Sequence, residues 1–325
     1  MPKTMKAQIF YEPKNMKLEE VPVPEVKLDE VLVQGKACGI CGSDIAYYYG
    51  DSSLETPTGK GPLILGHEFS GEVVEVGSIP AQKGLFKPGD RVVVDPLQYC
   101  YACEICKKGE FNLCEHKNVL GVSHNGGFAE YCVSHYTGLH KIPDNVSYVE
   151  AAMTEPLADA VYGVQKMSVK LGDFCVVIGP GAIGIMMVQL IKSSGAGTVV
   201  LAGTRDYRLE VGKASGADII INTGDKNSPY YVADLKAKIK ELTDGKFADA
   251  VITPTGSVEA METALEISGR RSRIVYFGLP SDKAVIRVHA LSAIFWDKTI
   301  LFSWLAPLTW PTALKARALS TWLAT

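Results

Sequence analysis

Residues 174–191 read FCVVI, GPGAIG and IMMVQLI in succession. The first five are a short apolar run rich in β-branched side chains, the next six carry Gly179, Gly181 and Gly184, and the last seven are uncharged and free of helix breakers. The stretch is as long as a membrane span, but Gly179, Pro180, Gly181 and Gly184 interrupt it near its start. It is read as a buried strand, a tight turn and a helix.

Outward from this unit the same alternation continues. Strands are expected at 174–178, 198–202, 219–222, 248–252 and 273–277, with helices at 182–194, 207–215, 230–242 and 258–267. That order is the signature of an α/β, doubly wound parallel sheet with crossover helices. It begins near Ala151 and stops after Ala290. Beyond it, residues 299–314 are uncharged and contain Trp304 and Trp310, so this run must be covered, either by the N-terminal half or by another subunit. From Lys6 to about Ile142 the pattern is instead short β-rich runs between Gly and Pro, at 30–35, 70–77, 90–95 and 129–134. A mostly β domain with long loops is expected there. Two domains also suit a chain of 325 residues, 47% of them apolar.

In the order strand, G-x-G-x-x-G, helix, the glycines acquire a dinucleotide-binding reading. Gly179 permits the tight turn, Gly181 lets backbone approach a pyrophosphate, and Gly184 lets helix and strand pack closely. Ala182 and Ile183 open the helix, whose N-terminal amides favour phosphate. The second strand ends where an acidic residue normally meets the ribose of NAD; here stand Gly203, Thr204 and Arg205. Glycine leaves room, the Thr hydroxyl can donate, and an Arg fork suits a 2′-phosphate, with Arg208 close enough to assist. NADP is preferred on these residues. In the alternative, Arg205 and Arg208 are solvated helix-start residues and Asp206 holds the ribose of NAD.

Eight cysteines occur, and since no secretory leader is expected from residues 1–13, metal or thiol chemistry is favoured over disulfides. Cys100, Cys103, Cys106 and Cys114 lie within fifteen residues, spaced to wrap one tetrahedral ion. Four thiolates leave no open position, so this site is expected to be structural; an iron–sulfur centre is the alternative. A second set is Cys41, the pair His67-Glu68, and Glu155. Thiolate, imidazole and carboxylate with room for water are what a catalytic zinc requires. The 33 Lys and Arg against 36 Asp and Glu, a formal charge of −3 without basic blocks, give no reason to expect nucleic acid or membrane partners. A small-molecule partner and a cytoplasmic location are expected, since residues 1–13 contain no apolar h-region.

The runs Gly39-Ile-Cys41-Gly-Ser43-Asp44, Gly66-His67-Glu68 through Gly77, and Gly126-Gly127-Phe128-Ala-Glu130-Tyr131, with the four-Cys loop and the glycine turn, resemble the zinc-dependent medium-chain dehydrogenases. The resemblance is strongest to the subgroup of sorbitol, threonine and secondary-alcohol dehydrogenases, and it runs from about Met5 to Gly278. It implies a GroES-like catalytic domain over residues 1–156, completed by 291–325, and a Rossmann domain over 157–290, with the active site between them. It implies that Cys41 and His67 hold a catalytic zinc and that Glu68 and Glu155 share the remaining protein position. Asp44 would orient His67, and Ser43 would pass the hydroxyl proton toward ribose and solvent. Relatives carry a His three positions past this Ser. Ala46 stands there, so proton exit is expected through water or Glu68.

Leu305 stands where sorbitol dehydrogenases place an Arg before Thr-Trp-Pro, which favours a more apolar secondary alcohol, diol or ketone. Tyr47, Phe128 and Trp304 are expected to shape the pocket. L-Threonine or sorbitol dehydrogenase activity with NAD is the alternative within the class. Residues 315–325 do not resemble the family's ending, which leaves a dinucleotide- and zinc-binding protein with impaired turnover as the reading from another class. A homodimer or homotetramer is expected.

Overall fold

The computed structural model describes residues 2–51, 61–307 and 310–315, with the side chains of 314 and 315 excepted. These residues form two compact units, one of 2–158 with 307 and 310–315, the other Asp159–Ala306. The boundary falls within the helix Thr154–Met167.

The first unit is built on an antiparallel five-stranded sheet. Its spatial order is Leu139–Lys141, Arg91–Val94, Phe69–Val76, Glu30–Cys38 and Tyr131–His135. Pairing brings Val31 opposite Val76 and Val33 opposite Val73. Val31, Val33, Phe69, Val73, Val92 and Val94 then bury one face as a single cluster. A hairpin of Thr4–Glu12 and Asn15–Pro22, which the sequence reading did not mark, adds Leu63–Ile64 to form a second sheet. The cysteine loop is closed at its base by Leu97–Gln98 pairing with Asn118–Val119, so its geometry is set by this short ladder.

The second unit carries the expected parallel sheet, and one strand more. The order across it is Ile219–Asn222, Thr198–Gly203, Phe174–Ile178, Ala248–Thr253, Ser268–Tyr276 and Thr299–Phe302. Every pairing is parallel. In chain order this is 3-2-1-4-5-6, with the direction of winding reversing beside Phe174–Ile178, where such sheets hold ligands. Residues 291–306, expected to complete the catalytic domain, belong to this unit, because Thr299–Phe302 hydrogen-bonds to Ser268–Tyr276 as the edge strand. Chain grouped with the first unit resumes at 307, and Trp310 stacks there on His140 with centroids 5.3 Å apart. The helix expected at 230–242 begins only at Leu235. Tyr231 bridges to Asn222, and Asp234 caps the helix by accepting from Ala237 N. Among the described residues no helix is long and apolar enough to cross a membrane.

Within Ser268–Tyr276, Arg273 donates to Asp173 at 2.7 Å, with both side chains largely buried (13% and 10% exposed). It also donates to the carbonyl oxygens of Ser168 and Asp249. Removing the guanidinium would leave the Asp173 charge uncompensated. Arg273→Ala is expected to cost about 3 kcal/mol of stability, read as a lower urea midpoint with an unchanged slope. A loss near zero would show that the pair is no better than solvent.

Candidate functional site

In the first unit, Cys41 sits at the N-cap of the helix Gly42–Tyr49 and His67-Glu68 directly precede the strand Phe69–Val76. One donor atom from each of Cys41, His67 and Glu68 falls within 4.8 Å of the others. Glu155, buried in the first turn of Thr154–Met167, is not in that group. The loop geometry follows from local bonds. Asp44 Oδ2 accepts from Cys41 N at 2.9 Å and Oδ1 from Gly66 N at 3.3 Å, tying the two donor-bearing loops to one carboxylate. Gly39 N donates to Glu68 O at 2.7 Å, and a Cβ at Gly39 would stand 2.2 Å from Glu68 Oε2, so only glycine lets this carboxylate pass.

The electrostatics describe a site suited to a cation. Burial pushes the Cys41 thiol up to about 11, against the lowering effect of hydrogen bonds from the Ser43 side chain and backbone. Burial likewise raises the carboxyls of Asp44 and Glu68, with His67 pulling both the other way. His67 is 7% exposed, and its Nδ1 has no hydrogen-bond partner among the described residues, with Asp44 Oδ1 at 3.8 Å. Three acidic groups that burial drives toward their neutral forms, around a buried imidazole, need a divalent cation before they ionise together. The soft sulfur, nitrogen and oxygen set fits zinc. Ser43 is thus placed against the Cys41 sulfur.

The other donor group is Cys100, Cys103, Cys106 and Cys114, again within 4.8 Å of one another. Cys100 Sγ lies 3.9 Å from Cys106 Sγ and 3.5 Å from Cys114 Sγ. Sulfurs at the corners of a tetrahedron of radius about 2.3 Å stand about 3.8 Å apart, so the loop fits one zinc. Backbone N–H groups of Ala102 and Cys103 donate to Cys100, bringing it down to about 6, and that of Cys106 lowers Cys103. Burial pushes Cys106 up to about 12.

In the second unit the glycine turn joins Phe174–Ile178 to the helix Ala182–Ser193, with Gly179 at φ 128°. A Cβ on Gly184 would lie 1.9 Å from Gly179 O, whereas one on Gly181 would meet nothing within 4 Å. The helix that Ala182 and Ile183 open is capped by Gly181 without a side-chain bond, and with the space beside Gly181 open its N-terminus is a cradle that fits pyrophosphate. Gly179 N donates to Ala202 O, and a Cβ on Gly203 would strike Pro180 at 2.3 Å, so the turn and the end of the second strand are packed together. Thr204 follows, and exposed Arg205 is the N-cap of Asp206–Ala214 without a side-chain cap bond.

Asp206, the candidate ribose acceptor, is otherwise engaged. Its Oδ1 accepts from Asn222 Nδ2 at 2.6 Å and Ser228 Oγ at 2.7 Å. Asn222 and Ser228 were not marked from sequence, because partners 16 and 22 residues away leave no local signal. Of the pocket residues, Phe128 lines a cavity of about 620 Å³ with Met16, Ile40, Ile45 and Tyr48. Tyr47 is instead buried against Phe10, at 5.9 Å between ring centroids. Trp304 falls in the second unit.

A nucleotide cradle on a doubly wound sheet, with a thiolate–imidazole–carboxylate group on a β-rich unit, defines a metal-dependent nucleotide enzyme, and comparison with known proteins narrows this. Residues 27–144 match the alcohol dehydrogenase GroES-like domain and residues 182–318 the zinc-binding dehydrogenase domain. The chain is 37% identical over 290 residues to D-arabitol-phosphate dehydrogenase of Enterococcus avium, covering 88% of this chain and 78% of that protein. It is 35% identical over 286 residues to sorbitol dehydrogenase of Bacillus subtilis, with the same coverage of 88% and 78%. Among solved structures it is similar to a protein of Sinorhizobium meliloti assigned as a zinc-binding dehydrogenase and bound to NADP. The TM-score is 0.84 at 28% identity, over 98% of this chain and 89% of that one. The chain belongs to the zinc-dependent, medium-chain alcohol dehydrogenase family. It is an oxidoreductase of that family, with a GroES-like unit and a Rossmann unit.

Proposed function

We propose that this enzyme moves a hydride between NADP(H) and a secondary alcohol or diol, or the corresponding ketone. The observation that carries the cofactor preference is the end of Thr198–Gly203. Gly203 occupies the place of the usual acid, Arg205 follows two residues on, and the nearest carboxylate, Asp206, is bound back to Asn222 and Ser228. A dianionic 2′-phosphate meets guanidinium there, while Asp206 Oδ1 is hydrogen-bonded to Asn222 and Ser228. That the Sinorhizobium meliloti protein was solved with NADP supports the same reading.

Cys41, His67 and Glu68 are assigned as ligands of a catalytic zinc, with Glu155 as the carboxylate that exchanges with Glu68, and the four-Cys loop as the holder of a structural zinc. The catalytic ion would supply a Lewis acid for the substrate oxygen. Asp44, whose Oδ1 lies 3.8 Å from His67 Nδ1, is assigned as the group that orients the ring. Ser43 Oγ takes the substrate hydroxyl proton toward solvent, with Glu68 or water beyond it and Ala46 unable to help. Leu305 in place of a polyol-binding Arg favours apolar substrates. The identity to sorbitol and arabitol-phosphate dehydrogenases favours a polyol as the second reading.

Eight free cysteines suit a reducing, cytoplasmic setting. A homodimer or homotetramer is supported by Leu291, Ile294, Phe295 and Phe302, all more than half exposed on or beside the edge strand.

Steady-state kinetics with a panel of ketones, NADPH and NADH test the assignment, with Arg205→Ala as the diagnostic variant. Loss of a forked, charge-assisted contact should raise the KM for NADP about 10- to 100-fold and that for NAD less than twofold. Equal effects on both would remove the 2′-phosphate from this position.

A further inference from the structure

The helix Asp206–Ala214 opens with the run Arg205-Asp206-Tyr207-Arg208, and the tyrosine in it has no role in the reading above. Its ring is 58% exposed, so it is not held for packing. Arg208 Nε donates to its hydroxyl at 2.8 Å. Hydrogen bonds from Arg208 and then Arg205 hold the phenol below the ordinary tyrosine range. A phenol oxygen that accepts from a guanidinium has its own O–H left to give, and polarisation makes it a stronger donor. Among the described residues no protein acceptor takes that proton. Asp206 is turned toward Asn222 and Ser228, and Glu210 is hydrogen-bonded by Tyr230. Three donors from Arg205, Tyr207 and Arg208 therefore cluster without a hydrogen-bonded carboxylate, an arrangement that suits a tetrahedral dianion better than a ribose hydroxyl.

We propose that Tyr207 is a cofactor-specificity residue, donating its hydroxyl hydrogen to the 2′-phosphate of NADP between Arg205 and Arg208. This inference rests on the NADP reading above. Binding, rather than turnover, separates the two claims. Adenosine 2′,5′-bisphosphate and 5′-AMP are titrated calorimetrically into the intact protein, its Arg205→Ala variant and its Tyr207→Phe variant. Phenylalanine keeps the exposed ring and removes only the hydroxyl.

Tyr207→Phe is expected to weaken the bisphosphate about tenfold, the size of one charge-assisted hydrogen bond, and 5′-AMP less than twofold. If Arg205→Ala is selective for the bisphosphate and Tyr207→Phe weakens neither ligand, the role of Tyr207 is overturned and the NADP reading stands. If Tyr207→Phe weakens both ligands equally, the hydroxyl serves the adenosine and the proposal falls. If Arg205→Ala itself shows no selectivity, the NADP reading fails and the proposal with it.

Discussion

Cys41→Ser is expected to lower kcat/KM by at least about 10³-fold, roughly 4 kcal/mol of transition-state stabilisation, with the fold intact. Serine occupies nearly the same volume, and its oxygen is a better N-cap than sulfur for the helix Gly42–Tyr49. The backbone bond from residue 41 to Asp44 Oδ2 does not involve the side chain, so the two donor loops stay tied. What changes is the ligand. A thiol held at about 11 by burial ionises when a divalent cation arrives, whereas a buried hydroxyl is far harder to deprotonate and a poorer partner for zinc. Zinc content measured by mass spectrometry should fall from two per chain to one, and the thermal midpoint should stay within a few degrees. Two zincs and retained turnover in this variant would overturn Cys41 as a catalytic ligand.

How far these residues were legible differs from one element to the next, for physical reasons. The strand, turn and helix around Gly179 could be read because each part is specified locally: a β-branched run, three glycines and then seven apolar or uncharged residues, 185–191, without a glycine or proline. The cysteine loop was legible for the same reason, its donors lying within fifteen residues. The start of the helix at Leu235 was not, because Tyr231 is held extended by a bridge to Asn222, nine residues away and on another strand. The edge strand Thr299–Phe302 lacks alternation, with a half-buried centre and exposed ends, and only its pairing with Ser268–Tyr276 makes it a strand. Asp206 shows the limit most clearly. Its type and spacing suit a ribose acceptor, and its sequence gives no sign of the pair of long-range bonds that its Oδ1 accepts. Glu155 has the right chemistry as well, but the helix that carries it leaves its oxygens outside the group formed by Cys41, His67 and Glu68.

Cys103→Ala should act through stability, not chemistry. Between Tyr99 and Cys114 the loop has little regular structure, only the helix Glu104–Lys107 and the short turn Phe111–Leu113. Its apolar support is a surface cluster of Tyr99, Tyr101 and Phe111 with centroids 5.5–5.9 Å apart. Cys103 is the N-cap of the helix, and its sulfur accepts from Cys106 N at 3.4 Å. Alanine thus removes a cap worth about 1 kcal/mol and one ligand from an ion whose binding is itself folding energy, at about 10–16 kcal/mol in small zinc domains. Cys100, brought to about 6 by backbone donors, would be left with its charge facing two other sulfurs within 4 Å and no cation between them. The expected result is loss of one zinc per chain and a drop of about 10 °C or more in the thermal midpoint, since several kcal/mol is a large part of a domain's stability. Turnover per remaining catalytic zinc should stay within about threefold, because a closed four-thiolate site offers no position for substrate. An iron–sulfur centre would instead colour the wild-type protein and bleach in the variant. A variant that keeps both zincs and its thermal midpoint but turns over slowly would contradict a structural role for this loop.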